Sequence, residues 1–362
     1  MINIRTAIGV RIDDAIWAAA DNLNGIVKVY EGGNVEYICA FPGYDMWEVH
    51  LFGKTIYHDG KLFFLPQASN QLAIFHLDTK EVQYIELGIS DVKSIHRYAD
   101  ICIWKNSLFL FPKCAKEIIK LDLDNYHIEE VNGPIDFLGN NGFLYNGIAF
   151  MEYSISVNQN IATMFCYQGK AIINFDMETL KYDITYIDEM SGNFLCGIKD
   201  EEYMYMCGSE QICILNIRNK RLECRIKTKC EKEFFACINM KDDIVFFPFR
   251  GEDILILNKK SRESKRVHVD FNEYVLKNNQ EVKVISVFQE KDKVIFITRR
   301  GSDIFSYDMV ENTLVNMKFI LSKSGEKKCF SELRTDIKNS KKCIMEEEID
   351  LKAYLYITNK YL

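Results

Sequence analysis

The chain has 362 residues, of which 48% are hydrophobic and 27% charged, a balance typical of a globular protein. Its formal net charge of −7 repels polyanions, so the composition argues against nucleic-acid binding. No run approaches the roughly 18 apolar residues of a membrane helix, and the first residues lack the apolar core of a secretory signal. We therefore predict a cytoplasmic protein with no membrane contact.

Twelve cysteines are spread along the chain from Cys39 to Cys343, and none forms a CxxC pair. Several lie inside apolar runs, as Cys102, Cys166 and Cys213 do. A free cysteine behaves as a small buried hydrophobic residue, and a reducing compartment keeps it free. We interpret the cysteines as core residues, with metal binding or catalysis by one thiol as the alternative.

A unit of two hydrophobic runs joined by a short loop recurs seven times, and residues 62–78 are its clearest copy. The second run of each unit ends in a polar residue, which we call the strand-end residue. The first run begins 13 to 16 residues before it, and successive strand-end residues are 40 to 54 residues apart. The strand-end residues are Glu31, Asp78, Asp122, Asp176, Asn216, Asn258 and Asp308. We predict that their side chains accept hydrogen bonds from turn backbone N–H groups.

The runs are short, rich in Ile, Val, Phe and Tyr, and bounded by turn residues, which favours strands. An alternating third strand follows each unit, as at residues 82–85, and a fourth segment precedes it, as at residues 99–104. Four antiparallel strands with this period are typical of a propeller blade. We predict an all-β fold, a seven-bladed β-propeller over residues 1–320. The predicted blades are 1–42, 43–88, 89–133, 134–188, 189–228, 229–270 and 271–320.

Two segments depart from the regular repeat. Residues 3–10 can serve as the innermost strand of the first blade, so that blade needs no strand from elsewhere. The fourth blade carries an insertion around residues 135–150, with glycines at 139 and 142, which we expect to cover one face as a loop.

The composition changes at residue 321, where polar and basic residues replace the repeat. Met345, Ile349, Ala353 and Tyr356 follow at roughly helical spacing after an acidic run, and negative charge suits a helix N-terminus. We predict that residues 321–362 form a tail with a helix packed on the propeller. A strand through residues 354–357 that supplements a sheet edge is the alternative.

The stretch from Phe75 to Lys80 has a strand that closes on Asp78 followed by a short polar turn. In this it resembles the β-propeller superfamilies with kelch-like or YVTN-like repeats. The resemblance covers roughly residues 1–320 and implies the fold. The Gly32-Gly33 pair falls in a turn rather than at a strand end, and no Trp-Asp dipeptide suggests WD40 repeats. No binding residue of these families can therefore be carried over.

In a four-stranded blade, the loop between the second and third strands lies at the same end of the ring as the crossover to the next blade. We call this the loop-rich end, and its loops contain Arg and Lys beside glycines. An Arg fork recognises carboxylate or phosphate, so we predict an anionic ligand there. Solvated loop charges paired with Glu252 and Asp303 are the alternative. The cationic candidates are Arg97, Lys113, Lys170, Arg250, Arg299 and Arg300.

The crossovers at the loop-rich end add Tyr44, Trp47, His96 and Tyr98 to the candidate site. Exposed aromatic residues beside Arg have the composition of protein interface hot spots, although Trp47 fits a blade core equally well. The six histidines have no chelating spacing, and no hydrolase, P-loop or dinucleotide-binding motif occurs. We therefore predict no metal and no cofactor.

The sequence thus favours a non-catalytic binding scaffold that recognises a protein partner or a small anionic ligand at the loop-rich end. An enzyme such as a lyase, hydrolase or sugar epimerase, with its site at the central opening, is the first alternative. A purely structural subunit is the second. The sequence does not indicate the oligomeric state.

Overall fold

The computed structural model describes residues 4, 6–30, 33–46, 48–88, 97–187, 193–230, 232–271, 284–298, 303–318 and 320–339. Within these residues, seven antiparallel sheets of four strands form a ring, which confirms the predicted seven-bladed β-propeller. Each blade is one continuous stretch of chain. Its first strand lies innermost, against the first strands of neighbouring blades, and the other strands follow outward in sequence order.

The first four blades contain sixteen strands, four in each predicted blade range. Blade 1 has β1 (Val10–Ile12), β2 (Ala15–Ala19), β3 (Ile26–Tyr30) and β4 (Asn34–Cys39). Blade 2 has β5 (Phe52–His58), β6 (Lys61–Pro66), β7 (Gln71–His76) and β8 (Val82–Glu86). Blade 3 has β9 (Tyr98–Trp104), β10 (Ser107–Pro112), β11 (Ile118–Asp122) and β12 (Ile128–Val131). Blade 4 has β13 (Ile155–Asn158), β14 (Ile161–Phe165), β15 (Ala171–Asp176) and β16 (Tyr182–Tyr186).

The last three blades repeat this pattern, and one further strand and two helices complete the described elements. Blade 5 has β17 (Phe194–Asp200), β18 (Tyr203–Gly208), β19 (Gln211–Asn216) and β20 (Arg221–Lys227). Blade 6 has β21 (Phe234–Asn239), β22 (Asp243–Pro248), β23 (Asp253–Asn258) and β24 (Ser264–His268). Blade 7 has β25 (Val284–Glu290), β26 (Lys293–Thr298), β27 (Asp303–Asp308) and β28 (Thr313–Lys318). The remaining elements are helix α1 (Gly133–Asn140), strand β29 (Ile320–Leu321) and helix α2 (Lys323–Asn339).

The described core consists of seven clusters of buried side chains, one at each interface between neighbouring blades. Second strands such as β6 are buried on both faces because a blade lies on each side. Outer strands such as β20 alternate exposed and half-buried residues instead. The sequence pattern therefore follows the position of each strand in its blade. The apolar runs are inner strands, and the alternating strand is the outermost one.

The innermost strand of blade 1 lies later in the chain than predicted. Strand β1 spans Val10–Ile12, whereas we expected it over residues 3–10. The chain before it still follows β2, since Thr6 forms a bridge with Ala20 and the Ala7 N–H donates to the Ala19 carbonyl at 2.9 Å. Blade 1 is therefore complete in itself, as expected.

The insertion in blade 4 begins with a helix rather than the loop that the glycines suggested. Helix α1 carries Pro134 in its first turn, where a missing N–H has no cost. Ile135 and Leu138 are three residues apart, so they share one face, and both are buried in the cluster between blades 3 and 4. Burial of this face explains why the segment is helical.

The predicted turn role of the strand-end residues is confirmed in blades 3 to 7. In each, a side-chain oxygen accepts backbone N–H groups two or three residues further on, at 2.8 to 3.2 Å. The residues are Asp122, Asp176, Asn216, Asn258 and Asp308. These bonds close the turn between the third and fourth strands of each blade.

Blades 1 and 2 have a different register from the predicted one. The strand pairing puts Tyr30 opposite Ala15 and His76 opposite Lys61, so Tyr30 and His76 occupy the strand-end position. Asp78 lies two residues further and accepts the N–H of Thr79 at 2.8 Å. The predicted alignment was wrong in blade 2 because Leu77 lengthens the apolar run by one residue beyond the strand. Glu31 lies outside the described residues.

We expect the strand-end carboxylates to make stability depend on pH below about pH 4. The N–H groups of Glu311 and Val310 hold the pKa of Asp308 below its ordinary value. At Asp176, burial raises the pKa, but hydrogen bonds from Glu178 and Thr179 outweigh it and the pKa is lowered. A lowered folded pKa gives stability that is present above the unfolded pKa, near 3.9, and is lost as pH falls through the folded pKa.

The Asp308→Asn and Asp176→Asn variants measure this contribution, because Asn keeps the acceptor oxygen and removes the charge. Urea denaturation between pH 7 and pH 2 should show the difference in unfolding free energy between wild type and each variant shrinking as the pH falls. A difference that is independent of pH contradicts the assignment. Asn216 and Asn258 show that the position accepts an amide.

The ring closes between blades 7 and 1 without a shared strand. Strand β29 pairs in parallel with β4, the outer strand of blade 1, and helix α2 follows directly. We call residues 320–339 the latch segment. Within it, the Glu332 carboxylate accepts the Tyr37 hydroxyl at 2.8 Å and the Ala40 N–H at 3.0 Å. Lys328 donates to the Ile38 carbonyl, and buried Cys329 belongs to the cluster between blades 7 and 1.

The tail predictions are tested only in part. Helix α2 occupies a segment whose sequence we described only as polar and basic. The predicted helix after residue 344 and the alternative strand at 354–357 lie outside the described residues. Along the part of the chain that the structure describes, neither helix is long and apolar enough to cross a membrane.

The latch segment should contribute measurably to stability. Glu332→Ala removes the acceptor of the Ala40 N–H and the nearer acceptor of the Tyr37 hydroxyl, which also lies 3.1 Å from the Asn24 carbonyl oxygen. We expect it to lower the free energy of unfolding by about 1–3 kcal/mol. Urea denaturation measures the change. The control is Glu311→Ala, an exposed turn residue, for which we expect a change within about 0.5 kcal/mol. Equal effects of the two substitutions contradict a closing role for residue 332.

Candidate functional site

A pocket of about 180 Å³ lies at the loop-rich end of the central channel. Its described lining comes from blades 1 to 6, so residues distant in sequence meet at one point. The ionisable members of the lining are Asp21, His50, Lys54, Lys113 and Glu152, all from blades 1 to 4. Blades 5 and 6 contribute only apolar side chains, which are Leu195, Phe235 and Phe249.

Bulges in the innermost strands aim residues into this pocket. In β9, β17 and β21 the pairing register shifts by one residue near the loop-rich end, and the extra residues are Ala99, Leu195 and Phe235. All three line the pocket. Strand β5 has a similar irregularity between Phe52 and Thr55, which holds Gly53 and Lys54. A bulge bends its strand and redirects a side chain, so one device recurs around the ring.

Three acid–base pairs lie on one side of the pocket, and each joins two neighbouring blades. Asp100 is the one member outside the described lining. Asp21 of blade 1 lies 2.6 Å from His50 Nδ1, at the start of blade 2. Lys54 of blade 2 lies 2.5 Å from Asp100 of blade 3. The third pair joins blades 3 and 4.

That third pair is Lys113 with Glu152, at 2.5 Å between Nζ and Oε1. Both side chains are largely buried, with exposed fractions of 10% and 13%. Charges withdrawn from water to this degree are stable only when they are paired. The three pairs therefore link blades 1, 2, 3 and 4 in series, and they fix the charge of this wall.

Burial perturbs the carboxyl group of Asp100 in the second pair. Burial raises its pKa above the ordinary value, although the ammonium group of Lys54 and the N–H of Ile101 favour the charged form. The charge of Glu152 also raises it, which shows that the second and third pairs interact. The second and third pairs are thus electrostatically coupled.

The predicted cationic residues that the structure describes have different surroundings. Lys113 lines the pocket, paired with Glu152. Arg250 lies beside it, with its guanidinium 5.8 Å from the ring of Phe249, which does line the pocket. Lys170 is exposed and is not part of the lining.

Arg97 and Tyr98 are buried rather than exposed. The carbonyl of Arg97 accepts the N–H groups of Lys113, Cys114 and Ala115 at 2.8 to 3.0 Å, which holds the loop that carries Lys113. Tyr98 belongs to the core between blades 2 and 3, and burial raises the pKa of its hydroxyl.

Tyr44 lies on the rim of blade 2 rather than in the pocket. Its hydroxyl is 2.7 Å from Ser69 Oγ and donates to Gln71 at 3.0 Å, and its ring packs edge-on against Phe52 and Tyr84. The other four candidates, Trp47, His96, Arg299 and Arg300, lie outside the described residues. Binding of a ligand or protein partner by the ten candidate residues stays a prediction.

Sequence reasoning missed Lys54, Asp100 and Glu152 as site residues. Each is a lone charged residue in an otherwise apolar stretch, as Asp100 is between Ala99 and Ile101. Lys54 and Asp100 lie in the innermost strands β5 and β9, where such a charge faces the channel or a partner charge, whereas Glu152 lies in the turn before β13. A lone charge in an apolar stretch is visible in the sequence. The pairing of His50 with Asp21 joins two blades, and no pattern in the sequence predicts it.

The described residues contain no candidate metal site. No group of three or more His, Cys, Asp or Glu side chains within that part of the chain is arranged to hold a metal ion. The described cysteines are free thiols. Burial raises the pKa of several of them, for example Cys102 and Cys329, each to about 12, so these thiols stay protonated.

No protein-family profile and no curated protein sequence matches the chain. Solved structures do match it. The computationally designed protein Ika8 is 9% identical over 87% of this chain and 86% of its own, with a TM-score of 0.58. PorZ of Porphyromonas gingivalis is 10% identical, with a TM-score of 0.57, and Hsv2 of Kluyveromyces lactis is 7% identical, with a TM-score of 0.54.

These matches span different shares of the compared chains. The alignment covers 89% of this chain but 39% of PorZ, and 85% of this chain with 96% of Hsv2. At such low identities the likeness establishes the propeller fold alone. The predicted resemblance to β-propellers is therefore confirmed for the fold.

Removing one partner of the buried Lys113–Glu152 pair should destabilise the protein strongly. We expect Lys113→Met to lower the free energy of unfolding by about 3 kcal/mol, because Glu152 keeps its charge and loses its lysine. The double variant Lys113→Met/Glu152→Leu should recover most of the loss. Urea denaturation at pH 7 measures both.

The Lys105–Glu178 pair at the opposite end of the ring is a matched control, with the same 2.5 Å separation but exposed fractions of 61% and 53%. For Lys105→Met we expect a loss of at most about 1 kcal/mol. If Lys113→Met costs no more than Lys105→Met, the pocket pair is as solvated as the surface pair and the assignment of a closed charged wall is wrong.

Proposed function

We propose that the protein is a non-catalytic binding module that recognises a small polar ligand, or one residue of a protein partner, at the loop-rich end of its channel. The observation that carries this proposal is the pocket lined by six blades, with ionisable residues only from blades 1 to 4 of its described lining and apolar side chains from blades 5 and 6. Its volume of about 180 Å³ is below the roughly 300–1,000 Å³ of pockets for drug-sized ligands. The ligand, or the part of a partner that enters, is accordingly small.

The sequence suggested a simple anion as the ligand, but the ion pairs that Lys54 and Lys113 already form argue against it. Lys54 and Lys113 each already hold a carboxylate. An anion that displaced either carboxylate would leave a buried charge without its partner, and such losses cost about 2–5 kcal/mol. Recognition of a neutral ligand or one of mixed charge agrees better with this arrangement.

Two further parts of the proposal come from the sequence. We place the protein in the cytoplasm because a reducing compartment keeps cysteines free, as the described ones are. We relate the repeats to kelch-like or YVTN-like repeats on the residues from Phe75 to Lys80. The propeller geometry is compatible with both ideas and favours neither.

An enzyme with its active site in the same pocket is the second candidate, and the pair of His50 with Asp21 favours it. Asp21 is buried, and its carboxylate lies 2.6 Å from His50 Nδ1 in the pocket lining. A carboxylate that orients a histidine is an arrangement used in general acid–base catalysis. A lyase, hydrolase or epimerase reaction is compatible with this pair.

A ligand screen tests the binding proposal. Thermal unfolding is followed with a library of amino acids, sugars, nucleosides, carboxylates and phosphates, for the wild type and for Lys113→Met/Glu152→Leu. A ligand present at 100 times its Kd stabilises the folded protein by about 2.7 kcal/mol. We expect at least one compound to stabilise the wild type and not the pocket variant. Lys105→Met/Glu178→Leu is the control and should respond as the wild type does.

The same library separates the enzyme from the binding module. Consumption of a compound by the wild type, abolished by His50→Gln, together with an affinity pull-down that recovers no partner, favours the enzyme. A library without any pocket-dependent response and without turnover contradicts both functions for this pocket.

A further inference from the structure

We infer that the protein has a second binding site, for a small phosphate ester, in a pocket beside the outer strand of blade 1. This pocket has a volume of about 470 Å³, within the roughly 300–1,000 Å³ of small-molecule sites. Its described lining includes Lys28, Lys80 and Lys328, and we call it the lysine pocket. It shares no described lining residue with the pocket in the central channel, so the inference is independent of the proposed function.

The three lysines come from different parts of the chain. Lys28 lies in β3 of blade 1, Lys80 in the turn between β7 and β8 of blade 2, and Lys328 in helix α2. Packing of α2 against β4, and of blade 2 against blade 1, brings them to one pocket. The tertiary structure therefore gathers positive charge at one place on a chain whose formal net charge is −7.

Lys28 is largely buried and has only a loose counter-charge. Its side chain is 20% exposed, and its Nζ lies 4.4 Å from the centre of the Tyr30 ring and 5.5 Å from that of Trp17. Asp14 lies 3.8 Å away, beyond hydrogen-bond distance, and is itself 71% exposed. Burial lowers the pKa of Lys28, but Tyr30 and nearby carboxylates outweigh it and the pKa is raised. The ammonium group therefore stays charged, and an anion beside it is favourable.

The other two lysines contact groups that carry no charge. Lys80 Nζ lies 5.9 Å from the centre of the Trp17 ring, and Lys328 donates to the Ile38 carbonyl. An aromatic ring or a carbonyl oxygen holds an ammonium group in place without neutralising it. Both positive charges are thus left for a ligand.

The balance of charge in the described lining favours a phosphate monoester. Glu36 is its one carboxylate, and it already accepts the Tyr30 hydroxyl at 2.8 Å. Burial raises the pKa of Cys39 to about 11, so this thiol is protonated. Three lysines therefore face one glutamate. A phosphate monoester carries a charge of about −1.5 to −2 and three acceptor oxygens, which fits this excess better than a carboxylate does.

The equivalent pocket between blades 6 and 7 shows that the excess of lysines does not come from the repeat itself. That pocket has a volume of about 620 Å³, and its described lining has one lysine, Lys265, with two carboxylates. By the strand pairing, Ile256 occupies the position of Lys28, and Asn312 occupies that of Lys80. The gap beside the outer strands is present at both places, whereas the cationic lining is particular to the lysine pocket.

Helix α2 forms one side of the lysine pocket with residues 324, 325 and 328. The positive end of the dipole of this 17-residue helix adds to the field of the lysines. Ser322 Oγ already accepts the Gly325 N–H at 3.1 Å. The lysines therefore supply the main hydrogen bonds to a phosphate group.

Isothermal titration calorimetry on the wild-type protein tests the class of ligand. The probes are inorganic phosphate, glycerol 3-phosphate and AMP, with glycerol, glycerate and adenosine as counterparts that lack the phosphate group. We expect at least one ester to bind about tenfold or more tightly than its counterparts, because charge-assisted hydrogen bonds to the lysines are lost without the phosphate. If glycerate binds as tightly as glycerol 3-phosphate, the assignment to a phosphate ester is wrong.

The site is assigned by single substitutions. Lys80→Gln should fold, since Lys80 is exposed and Leu180 occupies the equivalent left-handed turn position in blade 4. We expect Lys80→Gln and Lys328→Gln each to weaken binding of the ester about tenfold, and Lys80→Arg to retain it. Lys265→Gln in the equivalent pocket is the control and should bind as the wild type does. Unchanged affinity in Lys80→Gln, or an equal loss in Lys265→Gln, overturns the assignment.

Two further measurements separate the possible outcomes. The channel variant Lys113→Met/Glu152→Leu should keep the affinity for the ester, and a loss there places binding in the channel instead. Vesicles of phosphatidylcholine, alone or mixed with phosphatidic acid, test a lipid as the source of the same phosphate monoester. Binding to phosphatidic acid vesicles alone, dependent on Lys80, supports the phosphate site with a lipid ligand. Binding to neither vesicles nor soluble esters overturns the inference and leaves the proposed function to its own screen.

Discussion

The fold depends on one constraint, which is that every blade presents two apolar faces that only other blades can bury. The seven clusters of buried side chains lie between blades and not within them. Strands such as β6 and β10 have no exposed residue, because a neighbouring blade covers each side. A single blade therefore has no core of its own, and closing the ring removes the last two uncovered faces. The candidate site exists only because that closure brings six blades to one axis.

The pocket combines this architecture with two local devices. Bulges at the ends of the innermost strands turn single residues such as Leu195 and Phe235 toward the axis, which gives the pocket its apolar side. Charged residues on the other blades pair across the interfaces and give it a polar side. Since the pairs join adjacent blades, they hold neighbouring blades together and also border the proposed binding pocket. A mutation in the polar wall is therefore expected to affect stability together with binding, and the two effects must be measured separately.

The sequence predicted the blades well because the apolar runs repeat with a period that one architecture explains. It failed where a local pattern had two interpretations. Leu77 continues an apolar run beyond the end of its strand. Gly139 and Gly142 suggested a loop where helix α1 forms, because the burial of Ile135 and Leu138 depends on tertiary contacts. The site was less predictable, since a shift of one residue exchanges the faces of a strand. The bulges are such shifts, so Arg97 is buried while Lys54 lines the pocket.

The seam between blades 7 and 1 has a consequence for how the chain reaches its native state during translation. Blade 1 leaves the ribosome before blade 7, and its strands β2 and β3 then expose Ile16, Ala18 and Val27 toward a neighbour that is not yet made. In the folded protein Ile295 and Ile297 of blade 7 cover that surface, and they are synthesised only after blades 2 to 6. The nascent propeller thus exposes an apolar blade face until blade 7 has been made. Chaperones can cover such a face, and aggregation can begin there. Cells that make this protein slowly would therefore prolong its most vulnerable period.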